Sequence, residues 1–84
     1  MPEVEIGKVT DFVSRPLVAG IELTATLKMG DKIHIKGHTT DMEFTVDSMQ
    51  INNVDVKQAK AGDAVGVKVS ERVRRGDTVY KVTD

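Results

Sequence analysis

Apolar and polar residues alternate with a period of two along most of the chain. Val4 and Ile6 alternate with Glu3, Glu5 and Lys8, and Ile21 and Leu23 with Gly20, Glu22 and Thr24. Ile33 and Ile35 are set against Lys32, His34 and Lys36, and Val65, Val67 and Val69 against Gly66, Lys68 and Ser70. A period of two places one face of a strand in a core and the other in water. The phase slips twice. After Gly7 it moves to Val9 and then Phe12-Val13, which predicts a β-bulge or sharp bend. Between Glu43 and Ile51, Phe44 and Val46 share a phase while Met49 and Ile51 are one residue out of it. This predicts one strand with a bulge near Ser48.

The remaining segments read as connections or short pieces. Ser14-Arg15-Pro16 interrupts the first strand, and Leu17 to Thr24 begins the second. Gly37 to Asp41 is a polar connection, and Asn52-Asn53 favours a turn. Val54 to Val56 is a short extended piece, and Lys57 to Lys60 predicts a single helical turn. Glu71 to Arg75 is a charged connector whose apolar anchor is Val73, and Val79 to Val82 is the last strand.

One pattern occurs three times: Lys28-Met29-Gly30-Asp31-Lys32-Ile33, Lys60-Ala61-Gly62-Asp63-Ala64-Val65 and Arg74-Arg75-Gly76-Asp77-Thr78-Val79. Gly accepts the positive φ of a tight reversal. Asp can close an Asx turn onto backbone about two residues on, and a β-branched run follows each copy. About six or seven short strands separated by turn signals argue for a sandwich or barrel. Bulges and small size favour a barrel, because closure removes edges. The expectation is an all-β, six-stranded Greek-key β-barrel forming one domain over residues 1–84. Its core would comprise Val4, Ile6, Val9, Phe12, Ile21, Leu23, Ile33, Ile35, Phe44, Val46, Met49, Ile51, Val65, Val67, Val69, Val79 and Val82.

Composition narrows the chemistry. There are no cysteines among the 84 residues, so disulfides, thiolate zinc sites and thiol nucleophiles are excluded. No apolar run approaches the ~20 residues of a membrane span. The acidic Met1-Pro2-Glu3-Val4-Glu5 lacks the basic and apolar regions of a secretory signal, and the reading is a soluble cytoplasmic protein. Net charge is −1, but residues 1–56 carry five basic and nine acidic side chains, and residues 57–84 seven basic and four acidic. That asymmetry allows a basic face without the strongly basic balance of a general nucleic-acid binder.

Four constellations could carry chemistry. His34 and His38 could bind a metal with Asp41 or Glu43 if Gly37 bends the chain; on a straight strand their Cα atoms would stand about 13 Å apart. Exposed polar positions beside a loop are the default reading of both. Ser48, His34 and Asp47 or Asp31 can be assembled into a hydrolytic triad, although no nucleophile elbow marks the serine. Arg75-Gly76-Asp77 matches an adhesion tripeptide, but the same slot holds Met29-Gly30-Asp31 and Ala61-Gly62-Asp63, so a structural turn explains it. Finally, Lys68, Arg72, Arg74 and Arg75, with Lys57 and Lys60 across a turn, form the densest basic cluster. It reads either as a phosphate-contacting patch, with Tyr80 available for base stacking, or as a solvated connector balanced by Glu71 and Asp77.

The order of these pieces resembles the β-barrel second domain of translational GTPases of the elongation factor Tu type. The resemblance is carried by Gly7-Lys8-Val9, Leu27 to Ile33, Val46 to Ile51, Val56 and Ala59, Ala61 to Val69, and Val73 to Val79. It implies a stand-alone elongation-factor-like small protein. The same barrel type also occurs as an appended domain in some peptidases and RNA-modifying enzymes. No Gly-x-x-x-x-Gly-Lys-Ser/Thr loop is present, so nucleotide binding does not carry over and no cofactor is expected. What the resemblance implies is a non-enzymatic module contacting tRNA or the ribosome through the basic cluster. The alternative is a module that docks on a protein partner carrying the missing catalytic domain.

Overall fold

A computed structural model describes residues 3–14, 17–52 and 54–83. Each of the three Gly-Asp motifs folds into the same clasp. Gly30, Gly62 and Gly76 have φ of 90°, 93° and 92°, the left-handed value that a type II turn requires at its third residue. The Asp N–H donates to the carbonyl three residues back, at Lys28, Lys60 and Arg74, over 3.0–3.1 Å. The Asp carboxylate accepts the N–H of that same residue at 2.9 Å in all three copies. It therefore closes the turn backwards, not onto the residue two ahead. Each turn also grips a buried apolar residue elsewhere. Gly30 N–H donates to the Val46 carbonyl, Gly62 N–H to that of Leu23 and Gly76 N–H to that of Val9, each at 2.8 Å. Val46, Leu23 and Val9 donate back to the carbonyls of Asp31, Asp63 and Asp77.

The described residues form ten strands: β1 (Glu3–Ser14), β2 (Leu17–Leu23), β3 (Leu27–Lys28), β4 (Lys32–Lys36), β5 (Asp41–Thr45), β6 (Met49–Ile51), β7 (Val54–Asp55), β8 (Gln58–Ala59), β9 (Ala64–Lys68) and β10 (Thr78–Val82). Eight make an antiparallel sheet in the order β5-β4-β10-β1-β2-β9-β6-β7, and β3 pairs separately with β8. The all-β class holds. The sheet is not closed, however: β5 and β7 are its edges, in place of the expected six-stranded closure.

The break lies at Val46. Its N–H and C=O are both bonded to the first Gly-Asp turn, so the chain cannot continue beside β4. It resumes as β6 against β9, with Met49 opposite Val67. The single strand expected over 43–51 is thus two strands at opposite ends of the sheet. The helical turn expected over 57–60 is instead β8, because buried Ala59 pairs with buried Leu27.

The phase slip at Gly7 is a bulge, with register shifts between Glu5 and Gly7 against β10 and between Val9 and Asp11 against β2. A Cβ on Gly7 would lie 2.5 Å from the Glu22 carbonyl. The bulge leaves Val4 on the outer face, 52% exposed, while Ile6 and Val9 enter the core. Phe12, Phe44 and Ile51 pack only partly against the core, and Val82 is half-buried. Ala19, Leu27, Met42, Ala59 and Val73 join it. Arg15, Pro16 and Asn53, where an interruption and part of a turn were expected, lie outside the described residues, and so do Met1 and Pro2.

Candidate functional site

Val73 is buried and anchors the loop before β10, so its neighbours Arg72, Arg74 and Arg75 are exposed. The three arginines surround an open groove of about 470 Å³, with Asp11 and half-buried Phe12 opposite. Arg75 Nη2 lies 3.6 Å from Asp11 Oδ1. The other members of the predicted basic cluster stand elsewhere. Lys68 lines a groove with Asp47, Ser48 and Ser70, and Lys57 lines one with Met29, Met49 and Val56. Lys60 opens the second Gly-Asp turn, where its N–H is bonded to Asp63. Tyr80 tilts against His34, with ring centroids 6.4 Å apart. The seven residues do not adjoin as one cluster, because the ladder carries Tyr80 on β10 and Lys68 on β9, with β1 and β2 between them.

The densest polar arrangement is around His34. Ile33 and Ile35 are buried, so the alternation of β4 turns His34 outward. Register places Glu5, Tyr80, His34 and Glu43 in one row across β1, β10, β4 and β5. His34 Nδ1 lies 2.7 Å from Glu3 Oε2, and Nε2 lies 2.5 Å from Asp41 Oδ1. An ionised carboxylate can only accept, so the two contacts are satisfied together only when both ring nitrogens carry a proton and donate. The hydrogen bonds that His34 donates to Asp41 and Glu3 raise its pKa, with the carboxylate charges adding to the effect and burial opposing it.

Donor atoms of Glu3, His34 and Glu43 lie within 4.8 Å of one another, a set that could hold a divalent cation. Lys32 Nζ already lies 3.0 Å from Glu43 Oε1, and both His34 nitrogens face carboxylates. The arrangement as built is a proton site. His38 lies in the turn after Gly37 and is outside this group.

The paper triad does not assemble, because both nitrogens of His34 are engaged by Glu3 and Asp41, while Ser48 sits beside Met29 and Met49. Nor does Arg75-Gly76-Asp77 present an adhesion ligand. Asp77 is 5% exposed, and its carboxylate accepts the Arg74 N–H. Among the described residues no helix is long and apolar enough to cross a membrane.

No family model matches the chain. Over 79 residues, 93% of its length, it is 52% identical to an uncharacterised protease of Methanocaldococcus jannaschii. Over 81 residues it is 31% identical to a collagenase of Porphyromonas gingivalis. The chain spans about a fifth of these curated relatives, 19% and 20% respectively. Its fold superposes, with a TM-score of 0.88, on the C-terminal domain of a Geobacillus thermoleovorans protein described as a U32 peptidase; identity is 13%, covering 95% of this chain and 93% of that one. The selenomethionine variant of that domain gives a TM-score of 0.84.

These likenesses overturn the translation-factor resemblance, and with it the tRNA- or ribosome-contacting module and the expectation of a non-enzymatic protein: the relatives are named as a protease and a collagenase, of which this chain matches a part. The resemblance rested on Gly-Asp turns and strand order, which describe how the chain folds and say nothing of what it acts on.

Proposed function

We propose that this chain serves as the C-terminal β domain of a U32-type peptidase and acts in proteolysis together with a catalytic region. The observation that carries this reading is 52% identity to a protease across 93% of the chain, and the superposition on a U32 C-terminal domain supports it. The share of the work assigned to this domain is the holding of polypeptide. The groove of Arg72, Arg74 and Arg75 beside Phe12 offers charge and an apolar surface together, a combination suited to extended chains.

For the fold, we take the barrel-like wrap with Greek-key order as the finer reading. The β3–β8 ladder, the bonds of Gly30 and Asp31 to Val46 and that of Met29 to Lys57 support it, because they bridge the region between the two sheet edges.

The test uses the Porphyromonas gingivalis collagenase. Its matching segment is deleted, or replaced by this chain, and collagen cleavage is measured. Deletion is expected to lower cleavage and the graft to restore it. A deletion without effect, or a folded graft that restores nothing, overturns the reading.

A further inference from the structure

We propose that His34 is a proton-operated clasp: while doubly protonated it ties the start of β1 to edge strand β5, and on losing a proton it lets the start of β1 go.

The argument begins with how weakly that start is otherwise held. Glu3, Val4 and Glu5 are all exposed, so no side chain of the three enters the core. Their backbone pairs with β10 through Glu3–Val82, Val4–Lys81 and Glu5–Tyr80. The Glu3 carboxylate reaches over β10 to His34 on β4, while the other ring nitrogen holds Asp41 on β5. One imidazolium thus joins three strands, two of which are not neighbours.

Every element around the ring contributes charge or a titratable group: Glu3 and Glu5 from β1, Tyr80 from β10, Lys32 and Lys36 from β4, and Asp41 and Glu43 from β5. Lys32 is paired with Glu43, and Lys36 stands opposite Asp41. Lys81 pairs with Asp31, away from this row. When the ring becomes neutral, one nitrogen turns into an acceptor facing a carboxylate, so one tie becomes a repulsion. Asp41 and Glu3 each open a strand paired at five positions. However, β5 adjoins β4 whereas Glu3 must reach over the intervening β10, so the Glu3 tie is the longer one and the one given up. Release therefore falls on β1.

The raised pKa sets the direction. The clasp is fully present below the ordinary imidazole value of about 6.5 and is lost as pH rises through the elevated folded-state value. The experiment pairs a ¹H–¹³C titration of His34 with hydrogen-exchange protection of the amides in residues 3–5 and 80–82. The expected midpoint lies above ~6.5. Across the window, opening of these amides should increase about tenfold for every pH unit by which Glu3→Gln lowers that midpoint, because Asp41 keeps its tie to the ring in the opened state. Glu3→Gln and Asp41→Asn should each move the midpoint down, and His34→Gln should make protection independent of pH. A midpoint at or below the ordinary value, or protection at residues 3–5 that ignores pH, overturns the clasp. So does a pH dependence that survives in His34→Gln.

Discussion

Gly37 lacks a side chain for a reason located forty residues away. A Cβ at this position would run into the Asp77 carboxylate. Asp77 cannot simply swing aside, because it is buried and its other oxygen accepts the Arg74 N–H at 2.9 Å. Gly37→Ala is therefore expected to destabilise by about 2–3 kcal/mol, the range for forcing atoms into a filled site and disturbing a charged hydrogen bond. Gly62→Ala is different in kind. Nothing lies within 4 Å of its Cβ position, and only the φ of 93° resists the substitution, at about 1–2 kcal/mol. Urea denaturation separates the two causes through the Gly37→Ala/Asp77→Ala double variant. If the clash is what matters, the double variant loses less than the sum of the singles; strict additivity would sink this account.

At the scale of elements, the three clasps share one geometry but differ in depth. Asp77 is buried, while Asp31 and Asp63 are partly exposed. Removing a capping carboxylate costs about 1 kcal/mol when water can reach the freed N–H, and up to about 3 kcal/mol when it cannot. Thermal unfolding of Asp31→Ala, Asp63→Ala and Asp77→Ala should place Asp77→Ala lowest by a clear margin. Equal losses would show that the clasps are interchangeable. These turns were legible in the sequence because Gly and Asp impose local geometry, and the parity of β2, β4 and β9 was legible because alternation is local as well. The break at Val46 was not, since it depends on a bond to Gly30 and Asp31 across the fold. The helical turn over 57–60 lost to pairing with Leu27, a tertiary partner that local pattern cannot reveal. The sites divide in the same way. Arg72, Arg74 and Arg75 adjoin in sequence and were found together. Phe12 beside them and Glu3 beside His34 arrive through strand order, and neither placement could be read from spacing.

For the whole molecule, the strand order makes β10 the seam. It runs between β1 and β4, and through β4 it holds β5, so first and last strands of the chain meet inside the sheet. Val79 sits in this seam at 0% exposure, opposite Gly7 on one side and Ile35 on the other. Val79→Ala removes two buried methyl groups' worth of contact, about 1.6 kcal/mol by transfer with a further contribution from the cavity, or about 2 kcal/mol together. In a domain of this size that lowers Tm by roughly 8–16 °C. Val54→Ala, on edge strand β7 and 62% exposed, should stay within ~0.5 kcal/mol of the parent. The informative comparison is between probes. If the sheet unfolds as one unit, far-UV circular dichroism and Tyr80 fluorescence shift together in Val79→Ala. If Tyr80 fluorescence melts first while the remaining strands persist, β4, β5 and β10 form a separate, weaker layer. The His34 clasp would then fasten β1 to that weaker layer and not to a rigid sheet.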